Sequence, residues 1–216
     1  MAELIAKPKR LLDRDREWSL LREFLLDPAV QLRQAIVSGR RRNGKSFLLE
    51  ALTEAAGGLY LTAIQEEGRV LALQRFSELI AAHAGVRPGA LRLDGWQDVL
   101  STALDVVNRA PGASLLVIDE LPYLLQHSPE VPGFLQLLYD QSQFGKAPGG
   151  RIVLCGSAMS IMSELLSGTK PLRGRAVLDL RLPAFDFRTA RIHWGVEDPA
   201  TALLVDSVLE PVTISV

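Results

Sequence analysis

The residues best placed to do chemistry form one run: Gly39-Arg40-Arg41-Arg42-Asn43-Gly44-Lys45-Ser46. Glycines at both ends let the backbone close tightly, so that successive N–H groups converge on one anion. A lysine and a hydroxyl follow at once. This is the spacing G-x-x-x-x-G-K-[ST], in which amides and ammonium take the phosphates of a nucleotide and the hydroxyl takes Mg²⁺. The reading predicts ATP with Mg²⁺ held by Gly39 through Ser46, with Phe47 counted among the nucleotide-binding residues. A plain glycine turn would also satisfy the bare pattern. Arg40, Arg41 and Arg42 add charge that phosphate, nucleic acid or solvent could equally take.

A second site candidate is Leu115-Leu116-Val117-Ile118-Asp119-Glu120. An unbroken apolar run ending in acids reads as a strand buried on both faces. Asp119 then stands at the carboxyl end of the strand, where open α/β sheets bind ligands. Asp119 is expected on the metal and Glu120 on the attacking water. Ser157, after the apolar run Ile152–Cys155, either senses the γ-phosphate or caps a helix. Arg173 and Arg175 are either solvated or candidates for an arginine finger, from this chain or a neighbour, with Arg175 preferred. Catalytic roles thus fall on Lys45, Glu120, Ser157 and Arg175, and metal contacts on Ser46 and Asp119.

These groups need a scaffold, and the patterning supplies one. Ala35–Ser38 is apolar before the glycine loop. Phe47, Leu48, Leu49, Leu52, Ala55 and Ala56 then recur at helical spacing up to Gly57-Gly58, which closes the helix. Further strands are expected at Leu59–Ala63, Leu115–Ile118, Arg151–Cys155 and Ala176–Leu180. Helices are expected at Asp15–Leu26, Arg69–Ala84, from about Asp94 (with Gln97 completing a capping box), Pro132–Phe144 and Ser160–Leu166. Alternating strands and helices predict an α/β fold with a mainly parallel sheet covered on both faces.

Composition narrows the classes. The 216 residues carry a net charge of −1, with 48% apolar and 23% charged residues, so no overall basic field draws the chain to nucleic acid. No apolar run reaches the ~20 residues of a membrane span, and Met1–Arg10 has no apolar stretch of a secretion signal. One cysteine, Cys155, excludes an internal disulfide and suits a reducing compartment. The expected location is the cytoplasm. His83, His127 and His193 have no metal-ligand spacing.

The ordered set resembles a family. Leu12–Glu17 is similar to a "GREKEL" entry segment, Gly39–Ser46 to an arginine-rich "GRRRVGKT" loop, and Leu116–Leu124 to a "DEFPYL" segment. Leu154–Met162 is similar to "GSS", and Arg173–Phe187 to "GR…L.PF.F". Together these resemble the prokaryotic, archaeal-type AAA+ ATPases related to the STAND NTPases, over about residues 10–205. The resemblance implies a three-layer P-loop NTPase of ASCE type with a five-stranded sheet in the order 5-1-4-3-2. It also implies Ser157 as sensor and Arg175 as the Gly-Arg arginine. Asp13 departs from the motif's glycine, and Ser46 replaces threonine. Residues 1–185 read as the ATPase core and 186–216 as the start of a helical lid. Asp198–Leu209 is its first helix, and the ending after Glu210–Val216 reads as a truncation. The expected function is ATP binding with weak or partner-dependent hydrolysis. The alternative is a non-catalytic nucleotide-gated switch or an inactive remnant of a DNA-associated ATPase. DNA, protein and further copies of the chain stand as partners to test. A GTPase or small-molecule kinase is the remaining class; no Asn-Lys-x-Asp is present to read guanine.

Overall fold

The computed structural model describes residues 5–87 and 89–208, the side chains of 206–208 excepted. Helix α1 (Asp15–Leu26) buries Trp18, Leu21 and the pair Phe24-Leu25, each three or four residues beyond the last, and stops at Asp27 before Pro28. Strand β1 (Leu32–Ser38) leads through the glycine loop into α2 (Lys45–Ala56), which Gly57 closes in the left-handed conformation at φ 67°. Then follow β2 (Leu59–Thr62), α3 (Arg69–His83) and α4 (Trp96–Arg109). Strand β3 (Leu115–Asp119) is buried at every position, as is β4 (Gly150–Gly156). Between them lie α5 (Leu121–His127) and α6 (Val131–Gln143), and after them α7 (Met159–Leu165), β5 (Ala176–Arg181), α8 (Phe187–Trp194) and α9 (Pro199–Val208).

The five strands pair in the order β2-β3-β4-β1-β5, all parallel. Read from the other edge, this is the expected 5-1-4-3-2. Strand parity sorts the core into two layers. Leu48, Leu49 and Leu52 of α2 join Trp18, Leu21 and Phe24 of α1 on one face. Phe76, Trp96, Leu100, Leu104 and Leu135, from α3, α4 and α6, cover the other. Among the described residues no helix is long and apolar enough to cross a membrane.

Several local expectations change. The capping box at Asp94 is absent: α4 begins at Trp96, its cap is extended Gly95, and no side chain caps it. Asp94 sits one residue too early and faces Arg92. Ser157 does not cap α7, whose cap position is Ala158. Strand β1 starts three residues before the apolar run because the polar Gln34 is fully buried, donating its amide to the Leu135 carbonyl. Helices α5 and α8 were not anticipated. The helix expected at Asp198–Leu209 is α9; Leu209 and Glu210–Val216 lie outside the described residues.

One buried cation fastens the far end of the sheet. Arg151, 6% exposed at the start of β4, donates to the carbonyls of Phe24, Gln31, Gly150 and Ala29 at 2.9–3.3 Å, and to that of Asp27. A guanidinium has five N–H donors, and here five carbonyls meet them. Two of these acceptors, Phe24 and Asp27, belong to the end of α1, where helix carbonyls lack partners of their own.

Candidate nucleotide site

Parallel strands bring their carboxyl ends to one edge, and the candidate residues gather there. The loop leaves β1 after Ser38. Gly44 turns it at φ 79°, a left-handed geometry that glycine adopts without strain. Gly39 is buried against the end of β5: an added Cβ would stand 2.7 Å from the Leu182 carbonyl oxygen. Gly39→Ala is therefore expected to lose about 1–3 kcal/mol through overpacking, measured as a lower thermal midpoint; an unchanged midpoint would refute this packing account.

Other bonds hold the loop's shape. The Asn43 side chain donates to the Leu182 carbonyl at 2.9 Å, and the Lys45 ammonium, 5% exposed, donates to the Arg40 carbonyl at 2.9 Å. Arg40, Arg41 and Arg42 are exposed, and Arg41 reaches the Tyr123 hydroxyl. Phe47 packs into the face shared by α1 and α2.

Across the loop, the Ser46 hydroxyl donates to Asp119 Oδ2 at 2.6 Å. Oδ1 of the same carboxylate accepts the Glu120 N–H at 2.8 Å. Glu120 is half-buried with φ 51°. A non-glycine residue held there carries roughly 1–3 kcal/mol of backbone strain, of the kind that clusters at functional sites. It makes the turn from β3 into α5. Ser157 donates to Glu120 Oε2 at 3.2 Å. Lys45, Ser46, Asp119, Glu120 and Ser157 thus meet at one edge. Ser46 and Asp119 offer hard oxygen donors side by side, a set suited to Mg²⁺ rather than to a softer metal.

Arg175 is not brought to that edge. Strand register pairs Ala176 with Gln34, whereas the loop begins beyond Ser38. Arg175 therefore stands near the other end of the sheet. Its guanidinium grips both Asp140 oxygens at 2.9 Å, donates to the Pro171 carbonyl and lies 5.9 Å from the Tyr139 ring. Those bonds hold the Asp140 carboxyl below its ordinary range. The expectation of an arginine finger from the same chain is corrected accordingly. Arg173 is exposed and donates to the Gly168 carbonyl.

Two contributors escaped the sequence reading. Arg14, 3% exposed, donates to the carbonyls of Asn43 (3.1 Å) and Pro183 (2.9 Å) and stacks 4.4 Å from the Phe185 ring. It ties the glycine loop to the segment entering α8, and burial lowers its pKa from the usual value against the pull of Glu17 and Asp13. Tyr60, on β2, donates its hydroxyl to Asp119 Oδ2 at 2.5 Å. Burial first, then the Asp119 charge, push this phenol far above its ordinary pKa. Its signal was the alternation Leu-Tyr-Leu-Thr, which puts the two polar residues on one face. Cys155 is fully buried beside Asp119, and burial with that charge pushes its thiol up; it is a packed strand residue.

Comparison with solved structures decides the fold. The Walker-type ATPase PABY2304 of Pyrococcus abyssi superposes with a TM-score of 0.61, 18% identity, covering 98% of this chain and 68% of that one. The ORC2 protein of Aeropyrum pernix in its ADP form gives 0.64, 19% identity and coverage of 95% and 60%. The STAND protein PH0952 of Pyrococcus horikoshii gives 0.52, 12% identity and coverage of 95% and 29%. This is the P-loop ATPase fold. In sequence, the P-loop chain is 25% identical over 179 residues to the uncharacterised protein MJECL04 of Methanocaldococcus jannaschii. The match takes in 82% of this chain but only 36% of that relative's length. No protein-family model matches.

Proposed function

We propose that the chain is an AAA+-type module that binds ATP with Mg²⁺ at Gly39–Ser46 and hydrolyses it slowly, or only with a partner. The observation that carries this is the 2.6 Å bond between Ser46 and Asp119, joining the glycine loop to the acidic strand end on one sheet edge. The ORC2 neighbour, described in its ADP form, supports the ligand class.

The chain's own groups divide the work. Loop amides and the positive end of α2 take the phosphates, and the Lys45 ammonium takes the β- and γ-oxygens. Ser46 and Asp119 hold Mg²⁺, which supplies positive charge to the phosphate oxygens when bound. Glu120 accepts a proton from the water that attacks the γ-phosphorus as the bond to the β-phosphate oxygen breaks, leaving ADP and phosphate. Ser157 fixes the Glu120 carboxylate. Arg175 would serve only a neighbouring copy, after leaving Asp140.

The second reading, a nucleotide-gated switch without turnover, is favoured by that tethering of Arg175 and by Arg14 linking the loop to α8. Glu120→Gln separates the two. Under the ATPase reading it keeps nucleotide affinity within about twofold and cuts phosphate release by roughly 10²-fold or more. Phosphate release is measured with and without duplex DNA, since the ORC1 neighbour of Aeropyrum pernix is described in complex with DNA. Equal turnover in wild type and variant would remove Glu120 from the mechanism.

A further inference from the structure

The Asp119 carboxylate is 1% exposed and receives more donors than the proposed chemistry requires. Oδ2 accepts both the Ser46 hydroxyl at 2.6 Å and the Tyr60 hydroxyl at 2.5 Å, while Oδ1 accepts the Glu120 N–H at 2.8 Å. Both lone pairs of Oδ2 are therefore taken. The strands explain the meeting. Leu59 and Leu61 face the layer of α3 and α4, so Tyr60 turns towards α2. Tyr60 pairs with Val117, two residues before Asp119 on the same face of β3. Two residues of strand rise, roughly 6.6 Å, is a span that a phenol and its hydroxyl can bridge.

We propose that Tyr60 is a positioning residue for the metal side of the site: its phenol holds the Asp119 carboxylate in the orientation that receives the Ser46 hydroxyl, and so sets how tightly the site takes Mg²⁺. This rests on the ATP·Mg reading above. A serine hydroxyl that donates to a fixed carboxylate has its lone pairs aimed away from that carboxylate, towards the cation. Without the phenol, Oδ2 keeps one unmet lone pair in a buried setting. The carboxylate then turns to satisfy it, and the Ser46 lone pairs lose their fixed direction. Outer partners of metal-binding groups typically contribute 10–100-fold in metal affinity. Tyr60 does not touch the nucleotide in this scheme, so its effect appears only when Mg²⁺ is present.

The test is a calorimetric titration of a non-hydrolysable ATP analogue into wild type and Tyr60→Phe, in EDTA and over a series of Mg²⁺ concentrations. The substitution removes one oxygen and leaves the ring to pack; matched thermal midpoints check that the variant is folded. The expected result is that Tyr60→Phe needs about tenfold more Mg²⁺ to reach half of the magnesium-dependent gain in affinity, with affinity in EDTA within twofold of wild type. A Mg²⁺ requirement that is unchanged, or lowered because the freed oxygen now serves the cation, overturns the assignment. An equal loss with and without Mg²⁺ also overturns it, because that is the mark of a merely structural tyrosine. Absence of nucleotide binding by the wild type overturns the ATP reading itself, which separates the two failures.

Discussion

Lys45→Ala should remove nucleotide binding while leaving the protein folded. In the structure the Lys45 ammonium has one partner, the carbonyl of Arg40, in an exposed turn. Losing that bond exposes a carbonyl to water and costs the fold little. Against nucleotide the ammonium would make charge-assisted bonds to two phosphates, each contributing about 1.5–3 kcal/mol, so affinity should fall by at least roughly 10²-fold. Thermal unfolding separates the two effects. Ligand at about a hundred times its Kd stabilises the wild type by about 2.7 kcal/mol, or roughly 5–10 °C for a domain of this size. The variant should unfold near the wild-type temperature without ATP and shift by at most about 1–2 °C with it. A full shift in Lys45→Ala would dismiss the glycine loop as the site.

The largest loss of stability is expected at the opposite end of the sheet. Arg151→Ala leaves five carbonyls without their shared donor, two of them at the end of α1. Removing one partner from a buried charged network typically costs about 3–5 kcal/mol, here a fall in thermal midpoint of roughly 6–20 °C. Arg151→Lys should recover only part, since three donors on a flexible stem cannot meet five fixed acceptors. A midpoint within about 2 °C of wild type for Arg151→Ala would show that water or a local rearrangement replaces the network. Nucleotide affinity at temperatures where the variant is folded should be unaffected, because the sheet separates Arg151 from the glycine loop.

What could be read in advance was whatever is local in the chain. The glycine loop, the apolar strands ending at Asp119 and Cys155, and the stripe of α4 each carry their whole signal within fifteen residues. Features that depend on distant partners were misjudged. Gln34 looks like a loop residue until the Leu135 carbonyl is placed beside it. Helix α5 was hidden by Pro122, which a first helical turn accepts. Arg14, Tyr60 and Arg151 are ordinary side chains in sequence; apart from the Gly150 carbonyl beside Arg151, their acceptors lie 29 to 169 positions away. Arg175 was drawn towards the nucleotide by a motif match, but strand register sets it near the other end of β5.

The pairing of β1 has a consequence for synthesis. Its two neighbours are β4 and β5, and Leu32 meets Gly150, so the strand that carries the glycine loop emerges from the ribosome about 120 residues before either neighbour. At roughly 5–20 residues per second, that is on the order of ten seconds during which an apolar strand has no native partner on either edge. The glycine loop is thus made well before the two strands that flank β1, and nascent chains should remain chaperone clients until β4 has been translated.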